Sequence, residues 1–529
     1  MKINPVYTDI NDVSINDYLL KCGVKDPLNY LKGNYIEPFE HYKNINVWCE
    51  ILHEYLNNDD NIIYLLVDSD YDGFASGSLF YNYCKLVNPN CYIIPIFHEG
   101  KGHGLSDTYK YISKLESGLL VILDAGSRDK DKIQQLTRKG FKIIVADHHE
   151  CSEDNDFILV NNQMIGVENK GLSGTGVTWK CLNCYDKKYG YKYSNNFISY
   201  VMVSLISDSC PLIYDEQFTF IKWGKRNVHK NLIPLVELNK GETNHDYSFG
   251  CIPLINSVVR MGTQENKSTL FKLFCGELNE SETNEIIKIA KELHKKQSQE
   301  ANKLMNKVEI ITDKVIVLGK INEPTTLTGY VAQKISKKYN KPVFLVHEND
   351  NRCGGSFRSN FNISDIISNA DLLTYDGGHD CAGGVSYSKL DEDKVIDYID
   401  NLTLSEPVLD VFISLSCNCL SDKLFSFVDH FKTLWGKGID YPIVYINKFT
   451  PDKVLIYDKV IKIVSNNVNY LLFNVTDEQK EIFKNQNISL DIIGEPSYNY
   501  YRNQKEKQIV IQRYNIFENK KLTEDEIFA

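Results

Sequence analysis

The stretch IIYLLVDSDYDG (62–73) is an apolar run of strand length that ends in three carboxylates at alternate positions, Asp68, Asp70 and Asp72, and then a glycine. An unbroken apolar run of this length reads as a strand buried on both faces of a parallel sheet, and such sheets bind ligands at the carboxyl ends of their strands. Three like charges this close repel one another unless a cation or a proton intervenes. Gly73 then lets the chain turn into a helical pattern over 76–87. The pattern D-x-D-x-D-G also opens an EF-hand loop, but that loop needs Glu at its twelfth position, and position 79 is Leu.

Outward from this stretch, short apolar runs alternate with helical spacing. Strands are expected at 62–67, 92–97, 119–123, 142–145 and 157–160, with helices at 76–87, 108–116, 130–138, 200–206 and 217–228. The alternation predicts an α/β fold with a mostly parallel sheet covered on both faces. Residues 277–307 read as one long charged helix, with Asn279 as N-cap and Glu282 three residues on. Such a helix serves as a connector. A smaller α/β companion unit follows, with strands at 315–318, 342–346 and 384–387, and β-rich runs fill 443–517.

Composition bounds the class. The 529 residues suggest three to four domains, and 43% hydrophobic residues exclude wholesale disorder. No run approaches the ~18–20 apolar residues of a membrane span, and MKINPVYTDINDVSIND lacks a secretory core. Fourteen scattered cysteines fit reduced thiols, and Cys181-x-x-Cys184 has no second pair to complete a zinc site. A cytoplasmic, monomeric protein without membrane contact is expected. Net charge −11 argues against a broad basic nucleic-acid face, yet 431–520 carries 13 basic against 10 acidic residues, and Lys222, Lys225, Arg226 and Lys230 cluster.

Three further sites follow the first. Asp124 ends LLVILDAGS (119–127), Asp147, His148 and His149 lie in VADHHE (145–150), and Asp208 lies in LISDSCPL (205–212). Three of the four end successive expected strands, so a parallel sheet brings their side chains into one cleft. Several oxygens with one or two imidazole nitrogens and no thiolate suit a pair of divalent ions, Mn²⁺ over Zn²⁺ with Mg²⁺ as the other choice. Two such ions are a standard device for phosphoester hydrolysis.

VDSDYDG, LDAGS, VADHHE and SDS, in that order, resemble the four motifs of the DHH phosphoesterase superfamily. KGHGLS (101–106), GLSGTGVTWK (171–180), INSVVRMG (255–262), LTGYVAQKISKKYNKPVFLV (327–346), GGSFRS (354–359), GGHDCAGGVS (377–386) and WGKGIDYP (435–442) narrow the resemblance to RecJ-type single-strand-specific exonucleases. It covers roughly 60–515 and implies a DHH catalytic domain with an N-terminal extension at 1–215 and a helical segment with the connecting helix at 216–307. It further implies a DHH-associated α/β domain at 308–404 and an OB-like nucleic-acid-binding domain with tail at 405–529.

The resemblance also implies roles. Asp70, Asp72, Asp124, His148 and Asp208 would ligate two metals, with Asp124 bridging and Asp68 a further ligand or a carboxylate behind them; Asp147 would orient its neighbour, and His149 would face the scissile phosphate. Arg260, Ser356 and Arg358 would hold a 5′ phosphate, and Gly377, Gly378 and His379 would let backbone approach the strand. The family's Arg upstream of GYGLS is absent, and His98 or Lys101 occupies its neighbourhood. Tyrosines interleaved with Arg502, Lys505 and Lys507 in 498–507 would stack on bases.

The implied activity is 5′→3′ hydrolysis of single-stranded DNA in repair, recombination or replication, with a helicase or single-strand-binding protein as partner. The alternatives are a phosphodiesterase of short oligonucleotides or cyclic dinucleotides, and an inactive scaffold. The large β-rich C-terminal module and the filled Asp and His positions discriminate against these two.

Overall fold

The computed structural model describes residues 3–100, 102–239, 243–322, 326–339, 341–359, 361–368, 370–379, 381–403, 409–416, 419–484, 488–501 and 504–518. Five parallel strands run side by side in the order Tyr92–Phe97, Ile62–Val67, Leu119–Leu123, Lys142–Asp147 and Ile158–Asn161. The second strand in sequence lies on one side of the first and the third on the other. The strand order therefore reverses beside Ile62–Val67, and a crevice opens at that point.

The apolar runs are continuous because both faces are covered. Ile63, Leu65, Val67, Val121 and Leu123 face one core, which includes helices Tyr71–Val87, Gly174–Tyr189 and Ile198–Ser207. Tyr64, Leu66, Leu120, Ile122 and Val145 face the other, closed by Ile133 and Leu136 of helix Lys130–Arg138. Helix Tyr71–Val87 begins earlier than the expected 76 because the Asp70 carboxylate caps it, accepting from the Gly73 amide at 3.0 Å. The helix expected at 108–116 shrinks to Tyr109–Ile112.

The connecting helix runs Glu280–Met305, about 39 Å at 1.5 Å per residue. Its capping box is complete: Asn279 accepts from the Glu282 amide at 3.0 Å, and Glu282 accepts from the Asn279 amide at 2.9 Å. Ile286 and Ala290 enter the core of the parallel-sheet domain, whereas Ala301 enters that of the companion domain. One helix is thus anchored in two cores.

The companion sheet has six strands in the order Thr374–His379, Ala382–Ser388, Arg352–Arg358, Val343–Asn349, Val317–Ile321 and Glu309–Thr312. Arg352–Arg358 and Thr374–His379 carry glycines, which weaken a strand signal. Gly355 is needed there, since a Cβ would fall 2.0 Å from the Leu345 carbonyl oxygen.

The β-rich C-terminal unit is an eight-stranded mixed sheet. One of its two edge strands is Ile3–Tyr7, paired in parallel with Leu409–Ser416. This corrects the grouping of the whole N-terminal extension with residues 1–215, because the first strand completes the distant C-terminal sheet. Tyr7 and Tyr18 pack edge-on against Phe412, and the Tyr18 hydroxyl donates to the Asp440 carbonyl at 2.8 Å. Cys181 and Cys184 are buried free thiols on helix Gly174–Tyr189. Among the described residues no helix is long and apolar enough to cross a membrane.

Candidate metal centre

The strand ends deliver their carboxylates to one buried cluster. Ligand atoms of Asp72, Asp124, His148 and Asp208 lie within 4.8 Å of one another, as do those of Asp68, Asp70 and Asp124. Asp124 is common to both groups, so two adjoining positions share it. A third group joins Asp124 and His148 to His149. His148 Nε2 is 3.2 Å from Asp124 Oδ1 and 3.4 Å from Asp208 Oδ2. Asp124 has φ +61°, a left-handed conformation that costs energy away from glycine and turns its side chain at the strand end.

Asp72 does two jobs. It accepts the amides of Gly174 and Thr175, each at 2.7 Å, and so clamps the first turn of helix Gly174–Tyr189 to the cluster. Gly174 must lack a side chain, since a Cβ there would lie 2.3 Å from Asp124 Oδ1. Gly174→Ala is therefore expected to cost about 1–3 kcal/mol through overpacking. Thermal unfolding measures that loss, and a parallel Mn²⁺ titration should show weakened binding.

Burial and mutual repulsion distort the titration of these groups. Burial first, then Asp72 and Asp70, push the Asp124 carboxyl well above the usual range, and burial with Asp72 does the same to Asp208. Asp70 is raised by burial and by Asp68 and Asp72. Asp124 Oδ1 is buried without a hydrogen bond. Oxygen donors in excess, one imidazole nitrogen and an unsatisfied buried carboxylate oxygen fit hard-to-borderline divalent cations.

Asp68 behaves differently. Burial opposes its ionisation, but hydrogen bonds from His103 and His98 hold it down at about 2. His103 Nδ1 lies 2.9 Å from Asp68 Oδ2, and the Gly104 amide donates to Oδ1 at 3.1 Å. Asp68 in turn overcomes burial to lift His103 to about 9.

His98 is a correction. Expected to contact substrate, its ring is fully buried, with Nε2 3.4 Å from Asp68 and Nδ1 2.5 Å from Asp107. It braces a carboxylate of the cluster and does not face solvent. His103, to which no role was given, is the residue of this loop that stands at the mouth, its side chain 52% exposed and its ring 4.8 Å from that of His149. Its place between two glycines in KGHGLS is the sequence feature that marks it. Lys101 lies outside the described residues.

Asp147 joins none of the three candidate metal groups. It accepts the amides of Ser127, His148 and His149 and holds His149 Nδ1 at 2.9 Å. Against burial, His149 and His148 keep it far below the usual carboxylate range.

Arg260, on helix Cys251–Met261, comes near the cluster because Asn256 of the same helix accepts the Tyr71 amide at 3.0 Å. Its Nε is buried without a hydrogen bond. Arg358 ends strand Arg352–Arg358, and Gly329 makes room for it, since a Cβ there would lie 2.4 Å from the guanidinium. Burial, then Arg260, lowers Arg358 to about 10. Ser356 Oγ and Thr328 Oγ1 are 3.2 Å apart beside it. Among the described residues neither arginine forms an ion pair, so two half-buried cations lie close together, an arrangement that favours an anion between them. Gly377, Gly378 and His379 lie in strand Thr374–His379, whose register shifts between Tyr375 and Gly378; the His379 side chain lies outside the described residues.

The tyrosine-rich hairpin is partly engaged. Lys505 Nζ sits 3.6 Å over the Tyr498 ring, and the Tyr500 hydroxyl donates to Asp429 at 2.9 Å. Tyr500 stays 61% exposed, and Arg502 lies outside the described residues.

The DHH family, N-terminal domain, matches residues 62–205, which hold every carboxylate of the cluster except Asp208. The SPbeta prophage-derived protein YorK of Bacillus subtilis, provisionally named a single-strand DNA-specific exonuclease, is 25% identical over 97% of both chains. RecJ of Haemophilus influenzae, named a single-stranded-DNA-specific exonuclease, is 23% identical over 56% of this chain and 57% of its own. The structure of RecJ from Thermus thermophilus in complex with Mn²⁺ superposes with TM-score 0.73 at 17% identity, over 97% of this chain and 78% of that one. Residues 62–205 thus match the DHH family's N-terminal domain, in a chain that folds like RecJ.

Proposed function

We propose that the protein hydrolyses single-stranded DNA from its 5′ end, with two divalent ions, Mn²⁺ in first place, shared across Asp124. The observation that carries this reading is the pair of adjoining acidic groups with Asp124 in common, next to two half-buried guanidiniums. When bound, the two ions would supply a hydroxide near neutral pH and charge stabilisation for both the attacking and the leaving oxygen.

The chain's own residues divide the remaining work. Asp70 and Asp68 serve one position, Asp72, His148 and Asp208 the other. His149, held through Nδ1 by Asp147, presents its other nitrogen toward a phosphate oxygen. Arg260, Arg358 and Ser356 receive the terminal 5′ phosphate, so the strand is measured from that end. The Tyr498–Tyr500 hairpin offers an aromatic surface to unpaired bases. The names of the relatives support single-stranded DNA as substrate.

Purified protein with Mn²⁺ and end-labelled single strands tests the reading. The 5′ label should be released first, and blunt duplex should resist. Release first from the 3′ end, or equal cutting of duplex, would sink it.

A further inference from the structure

His148 and His149 are consecutive, yet the proposed function sends one ring into the cation cluster and the other toward substrate. Their shared backbone is gripped at four points. Asp147 Oδ1 accepts the His148 and His149 amides at 2.7 and 3.2 Å. The His148 carbonyl accepts from Gln163 Nε2 at 3.0 Å, and the His149 carbonyl accepts from Asn161 Nδ2 at 2.8 Å.

Both side-chain amides have settled orientations. Asn161 Oδ1 accepts the Gln163 amide at 2.6 Å, which leaves Nδ2 to donate to His149 and to Ser127 Oγ at 2.9 Å. Gln163 Nε2 donates a second bond, to the Lys170 carbonyl at 2.9 Å. Asn161 is fully buried and lies opposite Asp147 in the last register pair of the two strands. The two carbonyl contacts of the grip therefore come from the end of the neighbouring strand and the residues just after it, one side chain for each histidine.

We infer that Asn161 and Gln163 are positioning residues, Gln163 acting through His148 on cation binding and Asn161 acting through His149 on the reacting phosphate. This rests on the proposed function. Peptide planes after each histidine set the direction of its ring, and a tilt of about 10–20° takes a side chain out of productive geometry. Partners one step removed from a ligand typically change metal affinity or activity by about 10–100-fold.

The test uses the full chain, with Mn²⁺ binding followed by calorimetry in the absence of DNA, kcat and KM taken at saturating Mn²⁺, and thermal unfolding taken in chelator. Gln163→Met should weaken Mn²⁺ binding about tenfold, with kcat recovered by excess ion. Asn161→Asp should leave Mn²⁺ affinity and KM near wild type while kcat falls about tenfold or more. Should a buried carboxylate at 161 unfold the chain, Asn161→Ser carries the same expectation. Wild-type Mn²⁺ affinity in Gln163→Met, or kcat and affinity falling together in step with melting temperature in both variants, overturns the inference. A wild-type protein that binds no Mn²⁺ overturns the proposed function itself, and a different column of data shows it.

Discussion

Asp124→Asn is expected to reduce hydrolysis on the order of a thousandfold or more and, at the same time, to make the metal-free protein more stable. Both effects have one cause. The carboxylate is buried, its Oδ1 has no hydrogen bond, and Asp72, Asp70 and Asp208 repel it. Removing a buried carboxyl that its neighbours repel relieves about 1–3 kcal/mol, while removing the shared ligand disables both cation positions.

The pH dependence follows with a definite sign. A carboxyl whose folded pKa lies well above its unfolded value binds more protons in the folded state. Asp124 and Asp208 therefore cost the chelator-treated protein stability as pH rises from about 4, the unfolded value. Asp147 and Asp68 act the other way: their contribution is present above the unfolded value and is lost on acidification through their depressed pKa. Thermal unfolding in chelator from pH 5 to 8 should show wild type losing stability with rising pH more steeply than Asp124→Asn. Adding Mn²⁺ at a hundred times its dissociation constant should restore about 2.7 kcal/mol per bound ion to wild type and little to the variant. A wild type whose stability does not fall with pH in chelator would refute the account.

Arg358→Ala carries the second large effect. A charge-assisted hydrogen bond to phosphate contributes about 1.5–3 kcal/mol, so KM for 5′-phosphorylated strands should rise about 10–100-fold with kcat little changed. The preference for a 5′ phosphate over a 5′ hydroxyl should disappear. Arg358→Lys should recover little of it, because an ammonium cannot reproduce the planar fork. Steady-state kinetics on paired substrates that differ only at the 5′ terminus decide the matter. An undiminished 5′-phosphate preference in Arg358→Ala would place the terminal phosphate elsewhere.

Much of the fold is local and was legible. The strands over 62–67 and 119–123 stand at their expected bounds because runs buried on both faces have sharp edges, and the half-buried edge strand over 92–97 keeps its bounds as well. The connecting helix starts where its capping box says, since both halves of that box lie within four residues. Less legible were strands Arg352–Arg358 and Thr374–His379. Their glycines erase the apolar alternation, and the reason for Gly355 is a neighbouring strand's carbonyl.

The candidate site divides in the same way. That Asp68, Asp70, Asp72, Asp124 and His148 gather just beyond successive strand ends is legible in the sequence, because parallel connections bring those ends together. Tertiary contacts alone decided what each end does. Asp72 clamps a helix that begins about a hundred residues later, and His98 is buried as a brace while His103 takes the mouth. Asn161 and Gln163 grip the backbone of the two histidines, and Ile3–Tyr7 completes a sheet some four hundred residues away. Hydrogen-bond partners this far apart in the chain leave no periodic trace in it, so geometry in three dimensions had to assign them.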